Sequence, residues 1–485
     1  RQIHSSWALA AVLLIAAVFY AVRLTVFLVL GHDSALFSEW LGSISANFVT
    51  VTLTVVAAIV TSVLRSHHTS EQRYEWLTEG GVAFDGVMLA RTFAGASADV
   101  VERAQWRSEG VALVVIRVEG ISEIRTAFGP EVIPLWVAEM DARPCEPVVR
   151  AISQAVQRGD TGYGWGPRYA DALREFASDT WGWDVPPGRT TIVADVMIGV
   201  AEVLREVTDA DGAIVVSSPC YDSFHGFVDM LHRAPVDAPL TAQGRLDLDA
   251  IGSAFEQVAA TGRRCAYLLS NPQNPTGAVH TAAELTRLAQ LANQFGITVV
   301  SDEIHAPLVH EGSYTPFLTV PGGSTGITVI AASKAWNLAA LKAAAVVTGA
   351  DAPFATMHDV HTHGASHFGI MAHVAAFTEG RPWLAQLKRE LDENRRLVST
   401  LLAEHLPMVR YTPPDSTYLA WLDCRATGLG DDPATRWRTE AKVALSPGIN
   451  YAPDAGRGFA RLNFATSPEI LTEAITRMGA VAPSP

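Results

Sequence analysis

The stretch Ser270–Gly277, with the sequence SNPQNPTG, most strongly constrains how this chain can fold. It follows an apolar run, Cys265–Leu269, that has the length and composition of a buried strand. Two Asn-Pro pairs and a closing glycine predict an irregular loop there, because proline cannot donate a hydrogen bond to a sheet. Open α/β sheets bind ligands at the carboxyl ends of their strands, so Asn274 is predicted to lie at a binding edge.

Two more polar residues stand at equivalent places. Asp302 ends the run ITVVSD, and Lys334 follows the run ITVIAAS. From Ile133 onward, strand-like runs such as AIVVSS and CAYLLS alternate with amphipathic helices such as AAELTRLAQLANQFG. This alternation predicts an α/β fold with a mainly parallel sheet and helices on both faces. Asn274, Asp302 and Lys334 are therefore expected to meet at one sheet edge.

The overall composition narrows the function classes. The 485 residues are enough for two or three domains, and the net charge of −14 with a pI of about 5.5 argues against a nucleic-acid partner. The four cysteines, Cys145, Cys220, Cys265 and Cys424, lack metal-binding spacing. They indicate reduced thiols in a cytosolic compartment rather than a disulfide framework.

Residues 1–70 are predicted to form a transmembrane helical hairpin. Two apolar runs, Trp7–Leu30 and Asn47–Leu64, each approach the roughly 20 residues that cross a bilayer. Arg1 and Arg65 flank the pair, whereas the connecting loop is acidic and has no Lys or Arg. The positive-inside rule then predicts a multi-pass protein of the cell membrane with its catalytic domain in the cytoplasm. Two buried helices of a soluble domain are the alternative interpretation.

Residues 71–131 are interpreted as a linker or a degenerate domain fragment. The stretch from Val111, VALVVIRVEGISEIRTAFGPE, resembles the opening of a GGDEF-type diguanylate cyclase domain. However, Arg117 stands where such domains carry an acidic metal ligand, and no GGDEF loop follows. No cyclase activity is expected from this segment.

Residues 132–485 carry a stronger resemblance. Six motifs occur in order: PLWVAEMD, TGYGWGPRYADALREF, NPQNPTG, SDEIHAPLV, ASKAWNLAALK and FARLNFATS. Together they resemble pyridoxal-phosphate (PLP) enzymes of fold type I, and within these the MalY/PatB group of cystathionine β-lyases, relatives of the class I/II aminotransferases. The resemblance implies a large domain with a mainly parallel sheet over about 185–380. It also implies a small α+β domain formed by 132–184 and 381–485.

The resemblance also implies a quaternary structure. Members of this group form homodimers with shared active sites, and Tyr163 matches a tyrosine that reaches the phosphate in the neighbouring subunit. Members also carry an N-terminal arm before PLWVAEMD. Here the segment ending RTAFGPEVI occupies that place, so it either substitutes for the arm or marks a fusion of two truncated genes.

Five residues are assigned to the cofactor ring by the resemblance and by what the chemistry requires. Lys334 would hold the cofactor covalently through its amine and act as general base. Asp302 would keep the ring nitrogen protonated, and Asn274 would bind the phenolic oxygen. His305 lies where related transaminases carry a tyrosine near that oxygen, although a structural role is an open alternative. Tyr221 would stack on the ring as a catalytic residue, with core packing as its alternative.

The phosphate requires donors. A helix is predicted to start near Met197, where its positive end favours an anion. Ser333 and Lys342 would add a hydroxyl and a charge. The backbone amides expected to reach the phosphate are those of Gly199, Val200 and Ala201.

An amino-acid substrate needs its carboxylate held, and Arg461 in FARLNFATS is predicted to bind it in a bidentate manner.

A histidine-rich stretch, HDVHTHGASHFGIMAH, offers some helical spacings for a metal. It has no supporting carboxylate or cysteine pattern, so no metal site is predicted. Its histidines are His358, His361, His363, His367 and His373.

The favoured function is a carbon–sulfur β-lyase that cleaves cystathionine or related cysteine S-conjugates to a thiol, pyruvate and ammonia. A PLP-dependent aminotransferase is the first alternative, since the leaving group belongs to the substrate rather than to the enzyme. A membrane-tethered regulatory protein with an inactive PLP domain is the second alternative. The intact set of Asn274, Asp302, Lys334 and Arg461 argues against that second alternative.

Overall fold

The computed structural model describes residues 127–129 and 131–481. The predicted hairpin (1–70) and almost all of the predicted linker (71–131) lie outside these residues. Within 127–129 and 131–481, no helix combines the length and the apolarity that a membrane crossing requires.

The described chain alternates strands and helices over most of its length. Its strands are, in chain order, β1 (Ile133–Pro134), β2 (Thr190–Val193), β3 (Ala213–Val216), β4 (Ala234–Asp237), β5 (Ala266–Ser270), β6 (Thr298–Asp302), β7 (Ile327–Ile330), β8 (Ala344–Thr348), β9 (Arg410–Tyr411), β10 (Leu419–Asp423), β11 (Val443–Ala444), β12 (Ser446–Pro447) and β13 (Phe459–Asn463). Its α-helices are α1 (Glu146–Gln157), α2 (Gly166–Trp181), α3 (Val196–Val207), α4 (Asp222–Leu231), α5 (Leu248–Ala259), α6 (Ala282–Phe295), α7 (Asp359–Thr362), α8 (His367–Thr378), α9 (Arg381–His405), α10 (Pro433–Arg436) and α11 (Pro468–Val481).

The larger sheet has seven strands in the order β2-β8-β7-β6-β5-β3-β4. Strand β8 runs antiparallel to both of its neighbours, and the other pairs are parallel. This confirms the predicted mainly parallel α/β sheet. Strands β5, β6 and β7 are direct neighbours, with Ser270 paired to Asp302 and Asp302 paired to Val329. The predicted polar residues Asn274, Asp302 and Lys334 therefore lie at the ends of three adjacent strands, on one edge of the sheet.

Helices cover both faces of this sheet because its strands are apolar on both faces. Ile214 and Val216 of β3 pack with α3 and α4, whereas Val215, between them, packs with α5 and α6. Alternate strand residues point to opposite faces, so a run of β-branched residues fills both layers. Helix α6 shows clear boundary signals: Thr281 forms a capping box at its start, and Gly296 ends it with φ of 68°.

A smaller antiparallel sheet has the order β12-β13-β10-β9. Beside it, β1 pairs in parallel with β11, so the first described strand joins a segment about three hundred residues later in the chain. The N–H of Leu135 donates to Ala444 O at 2.9 Å and that of Asn463 donates to Leu135 O at 2.9 Å. The stretch that follows β1 is thereby carried across the small sheet toward the edge of the large one.

Candidate active site

The loop after β5 places Asn274 beside the ends of β6 and β7. Asn274 is 5% exposed, and its N–H donates to Ser270 Oγ at 3.3 Å. The glycine that closes the loop is required by its surroundings: Gly277 has φ of +72°, and a Cβ there would lie 2.2 Å from Pro414 Cβ. The loop therefore packs tightly against the segment between β9 and β10 of the small sheet, which fixes Asn274 at the edge.

Asp302 and Lys334 are close enough for their charges to interact, and the pKa of each is shifted from its usual value. Burial raises the pKa of Asp302 to about 6, although the N–H of Ile304, which donates to Oδ1 at 3.1 Å, and the nearby Lys334 both oppose that shift. Burial and then the charge of Arg461 lower the pKa of Lys334 to about 8. An acid and an amine whose pKa values are both shifted toward neutral pH in one cleft are typical of catalytic sites.

Arg461, in β13, reaches the same cleft from the small sheet. Its Nη1 donates to Asn274 Oδ1 at 3.1 Å and its Nη2 to Trp136 O at 3.0 Å. Its Cζ lies 4.8 Å from the centroid of the Tyr451 ring. The side chain is buried, yet its Nε has no hydrogen-bond partner. The guanidinium is thus oriented by neutral groups and retains a free donor for an anion.

Tyr221 and His305 border these charges. The Tyr221 hydroxyl lies 3.7 Å from Met197 Sδ, and burial raises its pKa, with Asp302 and Arg461 close enough to contribute. His305 is buried and its Nδ1 has no partner. Burial, followed by the charges of Lys334 and Arg461, holds its pKa well below the usual value, so the ring is neutral. Both predicted residues lie at the cleft.

The prediction for the phosphate amides needs correction. Helix α3 begins at Val196, and the N–H of Gly199 already donates to Asp195 O at 2.9 Å. Val200 and Ala201 lie further inside the helix, where the α-helical pattern uses their amides. A Cβ at Gly199 would meet Val193 at 3.0 Å and two more valines of the sheet, so this glycine permits close helix–sheet packing. Thus Gly199, Val200 and Ala201 are not the amides at the end of the helix.

The amides at the helix end belong to the residues from Val196 to Ile198, of which Ile198 is capped by Asp195 at 2.8 Å. Lys342 reaches this end, but its Nζ donates to Asp195 Oδ2 at 2.9 Å. Ser333 directly precedes Lys334 and is partly buried. The Ser333 hydroxyl and the Lys342 charge therefore lie near the cleft, as predicted. Asp195, which was not predicted as a site residue, pairs with Lys342 there.

Tyr163 does not lie in the cleft of its own chain. Its side chain is 93% exposed, as is most of nearby Trp165, in the loop before α2. The loop is tied down by Asp160, whose carboxylate pairs with His367 Nε2 at 2.9 Å. Its role in a neighbouring subunit's site stays a prediction.

The histidine-rich stretch has structural partners. His358 caps α7, His367 pairs with Asp160, and the buried His373 Nδ1 lies 3.0 Å from the Tyr169 hydroxyl. Over residues 127–129 and 131–481, no three or more His, Cys, Asp or Glu side chains converge on a common metal position.

Sequence reasoning missed the residues that hold the PLWVAEMD stretch. Asn337, with φ of 56°, accepts from Met140 N at 3.0 Å and donates to Met140 O at 2.9 Å. Asn463 Nδ2 donates to Val137 O at 2.6 Å, and the Tyr418 hydroxyl donates to Ala138 O at 2.9 Å. Asn337 and Asn463 lie inside the motifs SKAWN and FARLN, which was the one signal for them, whereas Tyr418 lies outside all six motifs.

Comparison with known proteins relates this arrangement to known enzymes. Residues 130–478 match the family model described as aminotransferase class I and II. A putative cystathionine β-lyase of Mycobacterium tuberculosis is 46% identical over 394 residues, covering 76% of this chain and 97% of that protein. Cystathionine β-lyase PatB of Bacillus subtilis is 31% identical over 72% of this chain and 92% of its own length. A crystal structure of a putative PLP-dependent β-cystathionase from Corynebacterium diphtheriae superposes with a TM-score of 0.69 and 35% identity, covering 73% of this chain and 94% of that one.

Proposed function

This chain belongs to the class I and II aminotransferase family and has cystathionine β-lyases among its relatives, and from that premise we propose that it is a PLP-dependent carbon–sulfur β-lyase. Its substrate is cystathionine or another cysteine S-conjugate, which with one water gives a thiol, pyruvate and ammonia. The observation that carries the proposal is the meeting of Lys334, Asp302 and Arg461 at one sheet edge.

The cleft fits the cofactor on its own chemistry. It holds an amine of depressed pKa, a buried carboxyl, an amide oxygen and two buried polar atoms without partners, His305 Nδ1 and Arg461 Nε. Lys334 would hold the cofactor covalently, Asp302 would stand beside the ring nitrogen, and the start of α3 with Lys342 would serve the phosphate. When bound, the cofactor supplies a ring that accepts electrons from the substrate's Cα.

Each residue then has a task defined by its own geometry. Lys334 has a pKa of about 8, so a useful fraction of its amine is neutral near neutral pH and can take a proton from Cα. Arg461 offers Nε and an edge of its guanidinium to the substrate carboxylate. Burial excludes water from the Asp302 carboxylate, which strengthens its interaction with any cation placed beside it.

Transamination is the alternative, and the family is compatible with it because the matching family model is described as aminotransferase class I and II. It needs the same amine, carboxyl and arginine. The two reactions differ in whether the substrate loses a thiol or its amino group is passed to a keto acid. Products, rather than residues, separate the two.

The experiment is incubation of the purified protein with L-cystathionine, followed by measurement of pyruvate and free thiol. Lyase activity predicts both in equal amounts, and Lys334→Ala lowers the rate at least about 1,000-fold. Lys388→Ala, which removes a lysine of α9, is the matched control and retains activity. Turnover that requires an added keto acid and releases no thiol would overturn the lyase proposal in favour of the aminotransferase.

We also propose a homodimer with shared active sites. The exposed Tyr163 and Trp165, held out on a loop anchored by Asp160, support it. Mixing Tyr163→Ala with Lys334→Ala subunits after partial unfolding tests it, because a hybrid dimer has one intact site. If sites are shared, about a quarter of wild-type activity returns, whereas no recovery indicates sites built by single chains.

The proposed membrane hairpin (1–70) and the cytoplasmic placement of the catalytic domain rest on the apolar runs and flanking arginines alone. Retention of the full chain in membranes after an alkaline carbonate wash tests the first point. Protection of the catalytic domain from protease added outside intact cells tests the second.

A further inference from the structure

The five residues Trp136–Met140 form a strap across the cleft, held from both sheets. Asn337, which follows β7, grips the backbone of Met140 with two hydrogen bonds. From the small sheet, Asn463 Nδ2 donates to the carbonyls of Val137 and Glu139 at 2.6 and 2.5 Å. These hydrogen bonds fix the backbone of the strap at the active site.

One carbonyl of this strap receives two functional donors. Lys334 Nζ donates to Ala138 O at 2.9 Å, and the Tyr418 hydroxyl donates to the same oxygen at 2.9 Å. A carbonyl oxygen has two lone pairs, so both bonds can form together. Lys334 and Ala138 are 196 residues apart in the chain, and this contact exists only because the strap is held in place.

We propose that the Ala138 carbonyl, shared with the Tyr418 hydroxyl, holds the Lys334 amine whenever that amine has no covalent partner, which makes Tyr418 a positioning residue. The inference rests on the proposed function, since a defined place for the free amine is needed only where the lysine is bound to a cofactor and later released from it. One N–H held at Ala138 leaves the remaining positions on nitrogen directed into the cleft.

Tyr418 suits this role because its ring is immobile. The side chain is 1% exposed, precedes β10, and lies 6.1 Å from the His305 ring. By occupying one lone pair of Ala138 O, its hydroxyl weakens that oxygen as an acceptor for an ammonium group. The protonated amine is then stabilised less than it would be by the carbonyl alone, which favours the neutral base.

Other groups also face the amine and must be kept constant. Asp302 and Glu139 are the nearby acidic groups, and Arg461 and Lys342 are the nearby positively charged groups. The His305 ring is neutral, as described above. A change of tyrosine to phenylalanine alters none of these charges, so any shift in the behaviour of Lys334 reports the hydroxyl itself.

The test measures how fast apoprotein captures PLP as a function of pH, followed by the absorbance of the lysine-bound cofactor. The wild-type midpoint is expected near pH 8, the pKa of Lys334. Tyr418→Phe should move the midpoint upward by about half a unit or more, because the amine becomes harder to deprotonate. The matched control is Tyr411→Phe, since the buried Tyr411 hydroxyl has no hydrogen-bond partner.

A second readout uses the lyase reaction. Tyr418→Phe should lower kcat about tenfold with little change in KM. It should also raise the kinetic isotope effect of Cα-deuterated cystathionine, because proton removal becomes slower relative to other steps. Equal midpoints and equal isotope effects in wild type, Tyr418→Phe and Tyr411→Phe would overturn the inference. If wild type captures PLP but releases no thiol, the lyase proposal fails while the pH midpoints still judge Tyr418.

Discussion

Two buried arginines of this molecule differ in what surrounds them. Arg395, in α9, has a side chain 4% exposed and meets two carboxylates, those of Glu311 and Asp392, while its Nη1 donates to Pro414 O at 3.0 Å. Arg461 is 5% exposed, but no carboxylate of the described residues forms an ion pair with it, and its Nε is unpartnered.

The difference separates a structural charge from a functional one. Burial disfavours the charge of Arg395, yet its hydrogen bonds to Glu311 and Asp392 outweigh that effect and raise its pKa. Arg461 is oriented only by an amide oxygen, a carbonyl and an aromatic ring, and so its charge remains uncompensated until a ligand arrives. A buried charge without a partner lowers stability, and it persists where binding requires it.

The largest effect should come from removing the functional arginine. Arg461→Leu is expected to lower kcat/KM for cystathionine about 1,000-fold, about 4 kcal/mol, because the substrate carboxylate, buried in the complex, loses its bidentate partner. The free energy of unfolding should fall by less than in Arg395→Leu, since the hydrogen bonds to Asn274 Oδ1 and Trp136 O are lost but no ion pair is broken in the free protein. Steady-state kinetics and a urea titration measure the two quantities. Arg410→Leu, an exposed arginine on β9, is the control, and an equal loss there would contradict the comparison.

The structural arginine should show the opposite pattern. Arg395→Leu is expected to lower the free energy of unfolding by about 3 kcal/mol, because it removes charged hydrogen bonds and leaves Pro414 O without its donor. Urea denaturation measures the loss, and kcat/KM of the remaining folded protein should stay close to wild type. A variant that keeps its stability but loses activity would place Arg395 with the cleft instead.

Much of the fold and the central site follow from local sequence. Strands β5, β6 and β7 are short apolar runs ended by Pro, Asp or a polar stretch, so their ends were visible without knowledge of tertiary structure. Adjacent parallel strands then bring Asn274, Asp302 and Lys334 together by topology alone. Arg461 required the family resemblance, because nothing in the letters FARLN states that β13 faces the large sheet.

The remaining part of the site depends on contacts between distant segments. The start of helix α3 was predicted within one residue, but the choice of Gly199, Val200 and Ala201 as the phosphate amides was wrong. Asp195 caps the helix, so its free amides come before Gly199, which the apolar letters VMIGVAEV do not reveal. The strap is held by Asn337 and Tyr418, whose partners lie about 200 and 280 residues away. Such pairings come from packing of the two sheets, which sequence periodicity cannot specify.

A third prediction concerns the acid of the cleft. Asp302→Asn should raise the free energy of unfolding of the apoprotein at pH 7.5 by about 2 kcal/mol, because the wild-type carboxyl is ionised while buried. The same change should lower lyase activity strongly, since the ring nitrogen loses its anion. Denaturation of apoprotein and kinetics of the cofactor-loaded enzyme measure the two effects. Asp249→Asn, on the surface of α5, is the control.

The pH dependence of this gain has a defined sign. The folded pKa of Asp302, about 6, exceeds the ordinary aspartate value of 3.8, so between these values the folded state holds a proton that the unfolded state has lost. Wild-type stability therefore falls relative to Asp302→Asn as the pH rises through that window, and the difference is complete above about pH 7. Glu303 contributes a similar slope to both proteins and cancels. A difference that is constant from pH 4 to pH 8 would contradict this account.

The smallest effect should come from the ring beneath Arg461. Tyr451 is 1% exposed, and Trp421 packs edge-on against it with centroids 5.5 Å apart, so its face is fixed under the guanidinium. Tyr451→Leu removes the cation–π contact and should raise KM about fivefold, about 1 kcal/mol, with little change in kcat. Tyr451→Phe keeps an aromatic face at the same place and should stay near wild type. If both variants raise KM equally, the hydroxyl rather than the ring orients Arg461, and the functional arginine would resemble Arg395 in depending on a polar partner.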